Sequence, residues 1–307
     1  MSSAGHYADL SLHNDRIFQT IKSQESFISA RILRQIYIDL IERGKRVSPR
    51  GQNSIEIENY TYDLPPFVRF TSFESRKFNI DYVKREFLWY LKGDKYDTSI
   101  TEFAKMWGNL INPDGTINSN YGQYIFRDEP ICQFDAAMNQ LKDDKDSRRA
   151  SISILSKDHL LSVTKDVPCT YSMNFRIRDN KLNMSVRMRS QDSVYGMAND
   201  APAFSFTHEL MLNALREFYP DLEYGNYHHS ADSFHVYERH FDMIEKITGI
   251  KIDASSTMEQ DPYEEISCPP MSGPDEVRFL RAGKFVNTTT LLPDIPEDFE
   301  FTRWLTT

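Results

Sequence analysis

Cysteine is scarce in this sequence, which has only Cys132, Cys169 and Cys268 in 307 residues. They are odd in number, far apart and include no C-x-x-C pair, which excludes a disulfide framework and a zinc knuckle and leaves at least one thiol free. Positive charge is short as well: 36 lysines and arginines stand against 45 acids, for a net charge of -9 and a pI near 5.4. Gripping polymeric nucleic acid requires clustered basic charge, so any phosphate bound here is expected to be a single one. No apolar run is long enough to span a bilayer, and Met1 to Asn14 lacks the basic and apolar regions of a signal peptide. No membrane association and a cytoplasmic location are therefore expected.

Linkers and internal repeats are also absent before residue 250. With 40% hydrophobic and 26% charged residues, the chain has enough apolar surface for one sizeable core. The reading is a polar N-terminal arm over 1–29 and a single domain over 30–307, with a Ser-, Pro- and acid-rich loop or insertion at 254–275. Ile32, Leu33, Ile36, Leu40 and Ile41 have helical spacing from Ala30 to a stop at Gly44. Arg46 to Gln52 reads as a loop and Ser54 to Tyr62 as a strand. Further helices are expected over Asp81–Leu91, Phe204–Phe218 and His240–Ile247, and a strand over Ser233–Tyr237.

Between Tyr171 and Met188, Met173, Phe175 and Ile177 alternate with polar residues, as do Leu182, Met184 and Val186. Asp179-Asn180 separates the two runs as a two-residue hairpin turn. In that register Cys169 faces Ser190 and Arg189 points to the other side, so a bulge is needed if both are to meet one ligand.

Cys169 taken alone reads more readily as an inert buried residue, but arginines nearby, at Arg187 and Arg189, would favour its thiolate and make it a nucleophile. Arg148 and Arg149 are either a solvated pair or a fork for a small phosphate such as a nucleotide monoester. Glu86 shares a helix face with Val83, Trp89 and Tyr90, so its carboxyl either finds a partner such as Tyr82 or a lysine, or keeps a raised pKa suited to proton transfer. His235 and Tyr237 lie on one face of a strand. His228, His229 and His240 match no metal-ligand spacing, and no metal site is expected. Asp200, two residues before Pro202, reads locally as a helix N-cap.

Several stretches occur together and in order: Arg85-Glu-Phe-Leu-Trp-Tyr, Asn118-Ser-Asn-Tyr-Gly, Asp146-Ser-Arg-Arg, Pro168-Cys-Thr, Arg189-Ser-Gln-Asp, Gly196 with Asn199-Asp200, and His235-Val-Tyr. Over about residues 81–250 the chain in this way resembles the thymidylate synthase family, and within it the deoxycytidylate hydroxymethylases of bacteriophages. The resemblance implies an α/β (α+β) fold with a large bent mixed sheet and flanking helices, and a homodimer with the sheets back to back. It implies that Cys169 adds to C6 of a pyrimidine nucleoside monophosphate, with 5,10-methylenetetrahydrofolate as co-substrate. Glu86 would organise water and protons and Tyr121 would line the site. Arg189, Ser190, Arg50 and, from the second subunit, Arg148 and Arg149 would hold the phosphate. His235 and Tyr237 would bond the sugar, and Trp107, Asp192 and Gly196 would face the folate.

Asp200 departs from the asparagine of thymidylate synthases. A carboxylate can only accept hydrogen bonds, so it repels O4 of uracil and suits the N4 amino group of cytosine. The expected reaction is conversion of dCMP to 5-hydroxymethyl-dCMP, with water adding to the transferred carbon. The alternatives are a CMP hydroxymethylase of nucleoside-antibiotic biosynthesis, a dUMP hydroxymethylase or thymidylate synthase, and a non-catalytic nucleotide-binding relative. Thr170 stands where synthases commonly carry histidine, and the tail Glu297 to Thr307 does not resemble the synthase C-terminus that closes over folate.

Overall fold

The computed structural model describes residues 27–69, 72–127, 132–161, 164–252, 262–264, 266–282 and 295–307. Most of the expected arm, residues 1–26, and residues 254–261 and 265 of the expected insertion lie outside them. Helix α1 (27–43) begins before Ala30 and buries Leu33, Ile36 and Leu40 as its spacing predicts. Strand β1 (Lys45–Val47) follows and pairs with β2 (Ser54–Leu64), so the loop expected from Arg46 starts only after β1. Strand β3 (Ser72–Phe73) precedes helix α2 (Ile80–Lys92), which Asn79 caps by accepting from Tyr82 N. Gly93, at φ 61°, ends α2 in the left-handed conformation that glycine adopts without strain.

Helices α3 (Gly122–Phe126) and α4 (Gln133–Asp143) lead to strand β4 (Ser151–Ser153) and the short helix α5 (Lys157–Leu161). The predicted hairpin is β5 (Thr170–Arg178) and β6 (Lys181–Met188), with Asp179 and Asn180 at φ 51° and 58° as a two-residue turn requires. Strand β7 (Gln191–Asp192) runs into helix α6 (Gly196–Leu215). This helix starts eight residues before the expected Phe204. Pro202 marks no boundary; it lies inside α6 and is buried. Strand β8 (Glu223–Tyr237) is longer than the Ser233–Tyr237 segment predicted, because its polar first half, with Gly225 and two histidines, lacks a strand's apolar alternation. Helices α7 (Phe241–Thr248), α8 (Pro274–Ala282) and α9 (Glu300–Thr306) complete the chain, with strand β9 (Tyr263–Glu264) pairing β3 inside the region read as a loop.

The main sheet is mixed and open, in the order β1-β2-β8-β6-β5-β4, with β7 beside β8. β8 runs parallel to β6 and β7, and the other neighbours are antiparallel. Bulges between Thr170 and Ser172 and between Leu182 and Met184 bend it. One face is apolar, with Met173, Phe175, Ile177, Met184 and Val186 buried. The other carries Ser172, Asn174, Arg176, Ser185 and Arg187 and is partly exposed.

Helix α6 is buried on every side from Ala201 to Leu215, the polar Ser205, Thr207, His208, Glu209 and Asn213 included. It packs against the sheet and against α2, α4 and α8. At the C-terminus the buried Glu276 carboxylate accepts from Ser272 N at 2.6 Å and from Thr302 N and Oγ1 at 2.7 Å, tying α9 to α8. Phe301 and Trp304 of α9 then pack edge-on to Phe206.

The crossing of α2 and α3 depends on Gly122, since a Cβ there would lie 1.7 Å from Tyr90 O. Gly122→Ala is therefore expected to destabilise the fold by about 1–3 kcal/mol, measured by urea unfolding. The same substitution should displace Tyr90 and Tyr121.

Candidate active site

Cys169 lies at the start of β5, where the bulge at Tyr171 shifts the ladder by one residue. Ser172 pairs with Arg187 as in the ideal register, but Thr170 pairs with Met188, and Arg189 N donates to Cys169 O at 2.8 Å. The sequence requires a bulge for cysteine and arginine to meet, and the bulge is there. It sets Arg189 rather than Ser190 opposite Cys169. Arg189 Nη2 approaches Cys169 Sγ at 3.4 Å, while the same guanidinium donates to Pro168 O at 3.0 Å and Val167 O at 2.7 Å. Ser190 follows in the half-buried link between β6 and β7.

Two expectations about this thiol are corrected. Arg187 is on the exposed side of the hairpin and pairs with Asp232 at 2.8 Å, so it does not serve Cys169. Burial pushes the Cys169 thiol above its ordinary pKa; Arg189 and Arg50 oppose that push, while Asp200 and Asp166 add to it. Desolvation outweighs the arginines, so the thiol rests protonated.

Glu86 and Asp200 form the acidic part of the site. Glu86 projects from α2 and is buried; burial and then the charge of Asp200 raise its carboxyl to about 8, against hydrogen bonds from Tyr82 and Tyr90. Tyr82 OH donates to Glu86 Oε1 at 2.7 Å and accepts from Trp107 Nε1 at 2.9 Å. The two alternatives for Glu86, a tyrosine partner or a raised pKa, thus coexist.

Asp200 is in the second turn of α6, beyond the reach of an N-cap, so the capping role is excluded by where the helix begins. Burial raises its carboxyl to about 7, with Asp192 adding to the shift and a hydrogen bond from Gln191 reducing it. Tyr121 is buried between Tyr90 and Phe204, with ring centroids at 5.5 and 6.2 Å, and feels both Cys169 and Asp200. These interactions bring Cys169, Arg189, Glu86, Asp200 and Tyr121 into one enclosure.

Around it, His235 and Tyr237 meet edge to face at 4.9 Å on the same side of β8, as their spacing predicts. Burial keeps His235 neutral by lowering its pKa. Arg50, in the turn Pro49–Gly51 with φ 53°, acts electrostatically on both Cys169 and Tyr237. Asp192 pairs with His235 across β7 and β8 and accepts from Val194 N at 3.0 Å and Tyr195 N at 3.4 Å. Gly196 lies against Asp192 and Asp200, and a Cβ there would meet only ordinary contacts from 3.5 Å outward. Protein packing does not demand a glycine at this position. Trp107 is buried with its indole N–H turned toward Tyr82.

Arg148 and Arg149 are exposed in the link from α4 to β4. Phe175 N donates to Ala150 O, so Arg149 lies beside the second half of β5, about six residues along from Cys169. At the usual rise of a strand that is roughly 20 Å. One chain does not bring these arginines to its own cysteine.

Residues that sequence reasoning did not assign also hold the site. Asp166 accepts from Ser119 N at 2.7 Å and from Ser119 Oγ, joining the Cys169 loop to the Tyr121 loop. Gln191 donates to Asp200 Oδ2 at 3.3 Å and accepts from Tyr62 OH at 3.3 Å. Ser119 and Gln191 lie within the quoted motifs, but their partners are distant in sequence. The histidines are dispersed: His228 bonds Asp63, His229 stacks on Tyr62, and His240 meets Tyr195. Among the described residues no group of three or more His, Cys, Asp or Glu side chains could hold a metal, and no helix is long and apolar enough to cross a membrane.

The raised carboxyls have a consequence for stability. Both bind protons more tightly in the folded than in the unfolded chain, so their contribution is fullest below the ordinary carboxylate range and is lost as pH rises through about 7 and 8. The melting temperature is expected to fall between about pH 4 and pH 8, and Glu86→Gln and Asp200→Asn should each flatten that slope.

The thymidylate synthase family model matches residues 31–266. The deoxycytidylate 5-hydroxymethyltransferase of Enterobacteria phage T6 is 31% identical over 214 residues, covering 67% of this chain and 85% of that protein. The deoxyuridylate hydroxymethyltransferase of Bacillus phage SP01 is 27% identical over 258 residues, or 76% of this chain and 66% of that protein. Thymidylate synthase 1 of Bacillus spizizenii is 29% identical over 167 residues, 51% of this chain and 56% of its own length. The matched span contains Cys169 and every residue of the enclosure around it, and the chain belongs to the thymidylate synthase family of one-carbon transferases.

Proposed function

We propose that the protein converts dCMP to 5-hydroxymethyl-dCMP. The observation that carries the reading is Asp200: a carboxyl group, in the enclosure of Cys169 and Glu86, where an asparagine amide would serve uracil. A carboxylate there accepts from the cytosine N4 amino group and has nothing to donate to uracil O4. The two phage hydroxymethyltransferases among the relatives support the reaction type.

5,10-Methylenetetrahydrofolate is the co-substrate, supplying one carbon at the oxidation level of formaldehyde, and Trp107, Asp192 and Gly196 border its place. Cys169 loses its proton on attack, and its sulfur bonds C6 of the ring while Arg189 stabilises the developing thiolate. The addition makes C5 the nucleophile for the one-carbon unit. Glu86, balanced near neutrality, moves protons around the ring and orders water beside the new exocyclic carbon. Loss of the C5 proton and departure of tetrahydrofolate from the transferred carbon leave an exocyclic methylene at C5; water adds to it to give the hydroxymethyl group, and Cys169 leaves C6, with the tetrahydrofolate released unoxidised. His235 and Tyr237 bond the sugar, and Arg189, Ser190 and Arg50 the phosphate.

Arg148 and Arg149 complete the phosphate site from a second copy of the chain, whose polar sheet face packs against this one. Their separation from Cys169 along β5 supports that arrangement. Mixing inactive Cys169→Ala with inactive Arg148→Ala/Arg149→Ala chains should restore up to about one quarter of the activity on subunit exchange, because a heterodimer then holds one intact site. No recovery despite confirmed exchange would place the arginines elsewhere.

The decisive assay incubates dCMP, CMP and dUMP separately with 5,10-methylenetetrahydrofolate and weighs the products. A hydroxymethylated dCMP is expected; methylated product with dihydrofolate would overturn the reaction. Cys169→Ala should bind nucleotide without turnover, and Asp200→Asn should move preference toward dUMP.

A further inference from the structure

Gln191 is almost fully buried beside Asp200 and ends a line of buried polar groups that the proposed chemistry does not use. Gln191 Nε2 donates to Asp200 Oδ2, and Gln191 Oε1 accepts from Tyr62 OH, both at 3.3 Å. Tyr227 OH lies 2.6 Å from His229 Nδ1, and the Tyr227 and Tyr62 hydroxyls act on one another electrostatically. His229 stacks on Tyr62 at 4.7 Å and 10°, which sets the spacing of the line.

Donor counting gives this line a single direction. An ionised Asp200 can only accept, so the Gln191 amide turns its nitrogen to Asp200 and its oxygen to Tyr62. Tyr62 has one hydroxyl hydrogen, which goes to Gln191, so toward Tyr227 it can only accept. Tyr227 has then committed its own hydrogen and must accept from His229 Nδ1–H. Burial keeps His229 neutral, with its pKa lowered to about 3, so Nε2 carries no proton. Nε2 is the ring atom buried without a hydrogen-bond partner. A bare lone pair there is less costly than a stranded N–H would be.

We propose that Gln191 is a specificity-determining positioning residue: the donor chain His229 to Tyr227 to Tyr62 locks its amide so that an N–H always faces Asp200 and holds this carboxyl as an acceptor for the cytosine amino group. The proposal rests on the reading of Asp200 as the base-recognising group. Its physical content is the exclusion of uracil. A protonated Asp200 could donate to uracil O4, and a donor fixed against Oδ2 opposes that protonation. The same bond fixes the plane of the carboxyl and leaves Oδ1 for the ligand.

The test is equilibrium binding of dCMP and dUMP to the full chain by titration calorimetry, in wild type, Gln191→Leu, Tyr62→Phe and Asp200→Asn. Loss of a hydrogen bond to a charged group should lower the dCMP-to-dUMP affinity ratio about tenfold or more in Gln191→Leu. Tyr62→Phe, which only frees the amide to rotate, should lower it by less and decides the matter if Gln191→Leu does not fold. Nitrogen-15 NMR should find His229 as the Nδ1–H tautomer in wild type; an Nε2–H tautomer overturns the one-way chain. An unchanged ratio in folded Gln191→Leu and in Tyr62→Phe, with a lowered ratio in Asp200→Asn, overturns the role of Gln191 and leaves Asp200 as the base reader. An unchanged ratio in Asp200→Asn removes both.

Discussion

Glu86, which is buried, and Asp200, which is half-buried, come from different helices and lie within electrostatic reach of one another, each with a raised pKa. Two carboxyls in one enclosure are unfavourable, because burial opposes ionisation of each and the charge of Asp200 opposes that of Glu86. The surrounding structure compensates with neutral donors. Tyr82 and Tyr90 serve Glu86, and Gln191 serves Asp200. Much of the fold can be understood as the scaffold that keeps these acids and their donors together: α2 is pressed onto α3 through Gly122, and α6 is buried around its whole circumference.

Cys169 depends on a different device. A one-residue bulge in β5 brings Arg189 to Cys169 and leaves Arg187 on the solvent side with Asp232. Arginine proximity alone does not make a resting thiolate, since the desolvation of Cys169 exceeds the help from Arg189 and Arg50. A protonated thiol beside a guanidinium and two carboxyls of intermediate pKa suits an addition in which protons move with bond formation, rather than attack by a standing anion.

The hairpin of β5 and β6 was legible because alternation of period two and an Asp-Asn turn are local signals. The same holds for α2, with its cap and its glycine stop. Pro202 reads locally as a boundary, so the sequence pattern starts helix α6 too late and makes Asp200 look like a cap. The first half of β8 escaped notice because a strand flanked on both sides by partners is held by its ladder, and polar residues such as His228 and Ser230 are tolerated there. Tyr62, Asp166 and Gln191 were not assignable, since each acts through a partner at least nine residues away in the chain.

The sequence by itself determined the chemistry on offer: a free cysteine, adjacent arginines, a helical glutamate and an aspartate where the resemblance implies an amide in thymidylate synthases. Those identities are set residue by residue, and their ordered motifs mark the family. Only the tertiary structure decided which arginine meets the thiol, that Asp200 belongs inside a helix, and that Arg148 and Arg149 are far from the cysteine of their own chain. Register shifts, burial and pKa arise from contacts between segments distant in sequence, and no local pattern encodes them.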